Sequence, residues 1–169
     1  MRILGIDPGL RVCGYGVIEK NNYALKLIEA GIITTNSSED IARRLNEIYG
    51  SLAELIREAR PEVLVLEKIY AHSRHPATAF LLGHARGVIC LLCAQYNIKL
   101  FEYLPTRVKK AIVGRGHASK IQIKKMIEQL LSIKKSAYAF DVSDALALAI
   151  AHTQINKTDD YRDRRKISP

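Results

Sequence analysis

The chain contains no tryptophan and only three cysteines. Cys13, Cys90 and Cys93 are too few, and of the wrong parity, for a disulfide framework. That excludes a small cross-linked scaffold and leads us to expect a reducing, cytoplasmic setting. Cys90-x-x-Cys93 has zinc-like spacing but no second pair, and it falls inside an apolar helical run, so core packing is its expected use. The N-terminus lacks a charged stretch followed by an apolar segment and a cleavage site, so secretion is not indicated. Long apolar runs are also missing. The most apolar stretch, residues 77–96, is broken by Gly83, His84, Arg86 and Gly87, which suits a buried helix or a subunit interface and not a membrane span. There is no internal repeat and no low-complexity linker. With 169 residues, 48% of them hydrophobic, the expectation is one domain over 1–155 and a polar, frayed tail over 156–169.

Acids are scarce in one region. Residues 67–135 carry thirteen Lys and Arg against three acids, Glu67, Glu102 and Glu128. The segments on either side are balanced, eight basic to nine acidic before it and five to five after it. The whole net charge of +9 therefore comes from the middle of the chain. This is the footprint of a protein that meets a polyanion.

Apolar periodicity supplies the outline of a fold. Ile3–Asp7, Gly14–Glu19 and Tyr23–Thr34 read as three strands joined by short turns, hence as antiparallel neighbours. Ile41, Leu45, Ile48, Leu52, Leu55 and Ile56 recur at helical spacing after Ser37 or Ser38 as N-cap, and Pro61 ends that helix. Val63–Leu66 is short and continuous enough for a strand buried on both faces. A helix from Pro76 to about Tyr96 then leads to a fifth strand, Ile98–Leu104, parallel to the fourth. Pro105 starts a short helix, Ser119-x-x-Gln122 is a capping box opening a basic one, and Asp141–Asp144 opens an almost wholly apolar one. The expected fold is α/β: a five-stranded mixed sheet, three antiparallel strands and then two parallel ones, flanked by helices.

Two of those strands end on an acid, Asp7 before Pro8-Gly9 and Glu67 after Leu66. Sites in such sheets lie at the carboxyl ends of the strands. Asp141 and Asp144 are three residues apart at a helix start, so they share one face of its first turn. Taken singly, each has a structural use, as a turn residue, a strand end or a cap. Together, four carboxylates in one place need counter-charge. All-oxygen donors without His or Cys select a hard cation, Mg²⁺ or Mn²⁺. An acidic cation site beside a basic segment points to phosphodiester chemistry, in which two metal ions about 4 Å apart activate water and stabilise the leaving oxygen.

Arg74, Arg107, Lys109, Lys110, Arg115, Lys120, Lys124 and Lys125 are candidates for holding the nucleic-acid backbone. Tyr70, three residues after Glu67, is placed to stack on an unpaired base. His72-x-x-His75 has metal-like spacing without a third ligand, and a nucleic-acid contact is the preferred use.

Four blocks in order, GIDPGLRVCGYGVIE, VLEKIYAHSRHPATAFLLGHARG, FEYLPTRVKKAIVGRGHASKIQI and DVSDALALAIAH, resemble the RuvC family of bacterial Holliday-junction resolvases, within the ribonuclease H-like superfamily. The resemblance spans residues 1 to about 152. It implies a homodimeric, Mg²⁺-dependent endonuclease that nicks two opposing strands of a four-way DNA junction symmetrically, in cooperation with the RuvAB branch-migration complex. By motif position it makes Asp7, Glu67, Asp141 and Asp144 the catalytic, metal-binding acids. It places Tyr70 near the junction centre and Lys109 and Lys120 on DNA. Some relatives carry His where this chain has Asp141. A two-fold dimer presents two sites to a junction of matching symmetry, and Gly83-x-x-x-Gly87 would allow close helix approach at its interface.

Two other functions compete. Asp-x-Gly also opens the phosphate loop of actin-like and sugar-kinase ATPases, but here Leu10 and Arg11 follow it, not small hydroxyl residues, and no second Asp-x-Gly occurs. A YqgF-type RNA nuclease of the same superfamily would share the first block, while chain length and the block from Glu67 to Gly87 favour the resolvase.

Overall fold

The structure is a computed structural model. It describes residues 1–22, 24–68, 76–133 and 138–166, and the side chains of all of these but 76–78 and 157–166. Its strands are β1 (Arg2–Asp7), β2 (Val12–Asn21), β3 (Ala24–Thr34), β4 (Val63–Glu67) and β5 (Lys99–Tyr103). They form one sheet in the order β3-β2-β1-β4-β5. β1 pairs antiparallel with β2 and β2 with β3, whereas β1–β4 and β4–β5 are parallel. This is the sheet expected from the sequence, with β1 at its centre.

Alternation along the central strands explains why their apolar runs are continuous. Ile3, Val63 and Val65 face one side and Leu4, Ile6, Leu64 and Leu66 the other, and all are buried. Two helices, α1 (Ile41–Ala59) and α2 (Pro76–Gln95), cover the second side. The first is covered by α3 (Pro105–Val113), α4 (Lys120–Leu130) and α5 (Phe140–Lys166). A strand between two helical layers cannot tolerate polar residues on either face. Each fully buried Leu or Ile there contributes about 1.5–3 kcal/mol.

The helix boundaries follow local chemistry. The N-cap of α1 is Asp40 and not Ser37 or Ser38: its carboxylate accepts from the Arg43 N–H at 3.0 Å. Ser38 is engaged instead with Asn36 Oδ1. The helix ends at Arg60, in the left-handed conformation at φ 48°, and Pro61 cannot continue it. The Ser119–Gln122 capping box is formed at α4.

Helix α5 lies directly on β1 and β2 because glycines let it. A Cβ on Gly5 would sit 2.0 Å from the Ala145 carbonyl oxygen, and one on Gly14 would sit 2.3 Å from that of Asp141. The small residues Ala145 and Ala149 complete the contact on the helix side. Farther along, His152 is pinned beneath β5. The Tyr103 hydroxyl lies 2.9 Å from its Nδ1 and the Asn156 amide 2.9 Å from its Nε2. Burial, with a smaller push from Lys20, lowers the His152 pKa to about 4, so this ring is neutral at physiological pH. The backbone of α5 continues to Lys166. Residues 156–166 contain neither Gly nor Pro, and nothing in their local chemistry stops a helix.

Cys93 is buried, as expected, but Cys90 is exposed. Phe80 and Leu91 share an outward face of α2 and are 69% and 52% exposed. No helix among the described residues is long and apolar enough to cross a membrane.

Candidate active site

Asp7 closes β1 and Glu67 closes β4, and these strands are parallel neighbours in register from Ile3↔Val63 to Ile6↔Leu66. Both carboxylates therefore emerge at the same edge of the sheet. The close seat of α5 on Gly5 and Gly14 sets its first turn over that edge, and so delivers Asp141 and Asp144. Asp7, Glu67 and Asp144 line an open cleft of about 330 Å³ together with Lys109 of α3 and Lys120 of α4. Apolar Val108, Ile123, Ala147 and Leu148 form much of the rest of its wall.

The electrostatics show how crowded the acids are. The Asp7 pKa rises from 3.8 to about 7, first because the carboxyl is buried and then because Asp144, Glu67 and Asp141 repel its charge. Glu67 is raised too, by burial and then by Asp144, with Lys120, Lys109 and Arg86 opposing. Lys120 donates to Asp144 Oδ2 at 2.7 Å, which raises its own pKa. Among the described residues, however, no three acid, His or Cys side chains are gathered into a metal-coordinating group. Buried like charges resist closer approach, and an ammonium already answers Asp144.

This donor set fits a divalent cation. It is all carboxylate oxygen, it is partly buried, and its charges destabilise one another in a way that a hard cation would reverse. Thiol chemistry is not on offer from Cys13 or Cys93, since burial pushes their thiols up to about 12 and 11.

The structure thus places Asp7, Glu67, Asp144, Lys109 and Lys120 on one cleft, with Asp141 near enough to Asp7 to repel its charge. Lys110 and Arg115 lie exposed near the end of α3, outside the cleft lining. Tyr70, His72, Arg74 and His75 lie outside the described residues. Two residues that sequence patterns did not single out also border the site. Phe140, half exposed at the start of α5, has the Lys120 and Lys124 ammonium groups 5.9 and 5.8 Å from its ring centre. Arg86 of α2 donates from Nη1 to the Glu67 carbonyl oxygen at 2.6 Å and pairs with Glu102 through Nη2.

A mixed sheet in this order, with acids at the ends of two adjacent parallel strands and at the start of the helix packed across them, defines a nuclease of the ribonuclease H-like fold. Residues 3–152 match the family model described as crossover junction endodeoxyribonuclease RuvC. The chain belongs to the RuvC family. A relative from Caldicellulosiruptor saccharolyticus, named crossover junction endodeoxyribonuclease RuvC, is 44% identical over 153 residues, 90% of this chain and 92% of that one. One of the same name from Natranaerobius thermophilus is 38% identical over 167 residues, covering 99% of this chain and all of its own length. A solved structure of T. thermophilus RuvC in complex with Holliday junction substrate superposes with a TM-score of 0.88 at 28% identity, covering 94% of this chain and 96% of that one.

Proposed function

We propose that this chain resolves four-way DNA junctions by nicking two opposing strands symmetrically, with Asp7, Glu67, Asp141 and Asp144 holding Mg²⁺, two ions per site, and Mn²⁺ able to substitute. The observation that carries this is the Asp7 carboxyl, half-buried among three other acids and pushed up to about 7. A protein that needed only a folded sheet would gain nothing from that crowding. When bound, the cations supply Lewis-acid activation of water and of the scissile phosphate.

The chain's own residues do the rest. Lys109 and Lys120 project into the cleft, where they hold phosphate oxygens and place the scissile bond beside the acids. Lys110 and Arg115, exposed nearby, extend the positive track along the arms, and each contact adds to the salt dependence of binding. Tyr70 stacks on an unpaired base at the junction centre, and Arg74 holds the DNA backbone.

The working unit is a homodimer. The exposed apolar face of α2 is unusual for a helix facing water, and Cβ atoms on Gly83 and Gly87 would meet nothing within 4 Å, leaving room for a second helix to approach. Two-fold pairing gives two sites for two cuts. Family membership further supports the RuvAB complex as the motor that supplies the junction.

The test is a mobile synthetic four-way junction, each strand end-labelled in turn, beside a linear duplex of the same sequence. Paired nicks at symmetric positions on two opposing strands, with Mg²⁺ and not with EDTA, are expected. Equal cutting of the duplex, or cutting in EDTA, would contradict it.

A further inference from the structure

We propose that Arg86 is the positioning residue for Glu67, holding the end of β4 so that its carboxylate stands ready for the cation. The inference rests on the metal-site assignment above and adds to it a residue that touches neither metal nor substrate.

Glu67 is the last residue of its strand, where the sheet can no longer hold the backbone on both sides. The β1–β4 ladder stops at Ile6↔Leu66. One residue beyond Asp7 stands Pro8, which has no N–H with which to prolong it. On the β5 side the Lys68 N–H still donates to the Tyr103 carbonyl at 2.8 Å. The Glu67 carbonyl needs another donor, and Arg86 Nη1 reaches it at 2.6 Å. The second prong of the same guanidinium, Nη2, pairs with Glu102 on β5, so one planar group ties the end of β4 to the neighbouring strand.

The arrangement is rigid for three reasons. The Arg86 side chain is only 13% exposed, so packing limits its rotamers. A guanidinium presents its donors in a fixed fork, and holding Nη2 on Glu102 aims Nη1. Its positive charge is paired with Glu102, which fixes it in place, and it also favours the ionised form of the Glu67 carboxylate. A carboxylate that binds metal must be held to within about half an ångström, and partners that orient metal ligands are typically worth about 10–100-fold in metal affinity.

The experiment uses the full chain with Arg86→Ala and Arg86→Lys, following Mn²⁺ binding by calorimetry and the Mg²⁺ concentration needed for half-maximal junction cleavage. Junction affinity in EDTA and thermal melting are recorded alongside. Arg86→Ala should weaken Mn²⁺ binding and raise the Mg²⁺ requirement by about 10–100-fold, with junction affinity in EDTA changed by less than about twofold. Lysine can serve one prong but not both, so Arg86→Lys should recover part of the loss. A folded Arg86→Ala with wild-type metal affinity overturns the inference, even if it melts lower, because that is what a merely structural arginine would do. Should Arg86→Ala fail to fold, Glu102→Gln, which loosens the second prong, carries the same test: a severalfold loss of metal affinity supports the inference and none overturns it. A wild-type chain that binds no Mn²⁺ overturns the metal-site assignment itself, and is recognised by the wild type failing along with the variants.

Discussion

Asp7→Asn should abolish junction cleavage, by about a thousandfold or more, and at the same time make the metal-free protein more stable at pH 8. The first effect follows from losing a charged metal ligand, since metal stabilisation of the transition state is worth several kcal/mol. The second follows from the sign of the Asp7 shift. Its folded pKa is about 7 against 3.8 for a free carboxyl, so the folded chain binds this proton more tightly than the unfolded chain does. The stability this contributes is complete below about pH 4 and is lost as pH rises through 7. At pH 8 the ionised carboxyl is a burden of on the order of 2–4 kcal/mol, allowing for relaxation of the site. Asn keeps the shape without the charge. Thermal melts in EDTA should therefore show Asp7→Asn above wild type at pH 8, with the gap closing towards pH 4. A variant that melts below wild type at pH 8 would mean that Asp7 is structural. Junction binding should survive, because no DNA anchor is removed.

Gly5→Ala is expected to be among the most damaging single-methyl additions to the chain. The new Cβ would lie 2.0 Å from the Ala145 carbonyl oxygen and 3.0 Å from the Ala149 nitrogen. These are backbone atoms of α5, so no side chain can move aside and the helix must lift. Such overpacking costs about 3 kcal/mol or more, a large share of the 5–15 kcal/mol typical of a domain. A lifted α5 also carries Asp141 and Asp144 away from Asp7. Cleavage by the fraction still folded should consequently fall about a hundredfold. Gly50→Ala, in α1 with nothing within 4 Å of the added carbon, is the matched control and should raise stability by roughly 0.5–1 kcal/mol. Denaturant titration of the two variants, read beside their cleavage rates, checks both halves. Equal behaviour would mean that the glycines do not seat the helix.

What could be read from the sequence was whatever depends on local pattern. The continuous runs Ile3–Ile6 and Val63–Leu66 mark strands buried on both faces, and an acid directly after each run can only lie at a strand end. Asp141 and Asp144 were legible as a pair because i, i+3 spacing puts them on one turn. Residues whose role is created by packing were not legible. Arg86 looked like an interruption of an apolar helix, yet what matters is its reach to the Glu67 carbonyl and to Glu102, which no spacing encodes. Phe140 gave no periodic signal, and its lysine neighbours come from a helix some twenty residues earlier. Lys120 was foreseen as a phosphate contact, but its bond to Asp144 depends on how α4 lies against α5. The N-cap of α1 was misplaced because Ser37, Ser38 and Asp40 are all good capping residues, and only the backbone path decides between them.

The most direct test is calorimetric titration of Mg²⁺ into wild type and into Asp7→Asn at pH 8, without DNA. Saturable binding by wild type that is lost or weakened at least tenfold in Asp7→Asn is the predicted result. Indistinguishable titrations would contradict the assignment of Asp7, and with it the four-acid cation site.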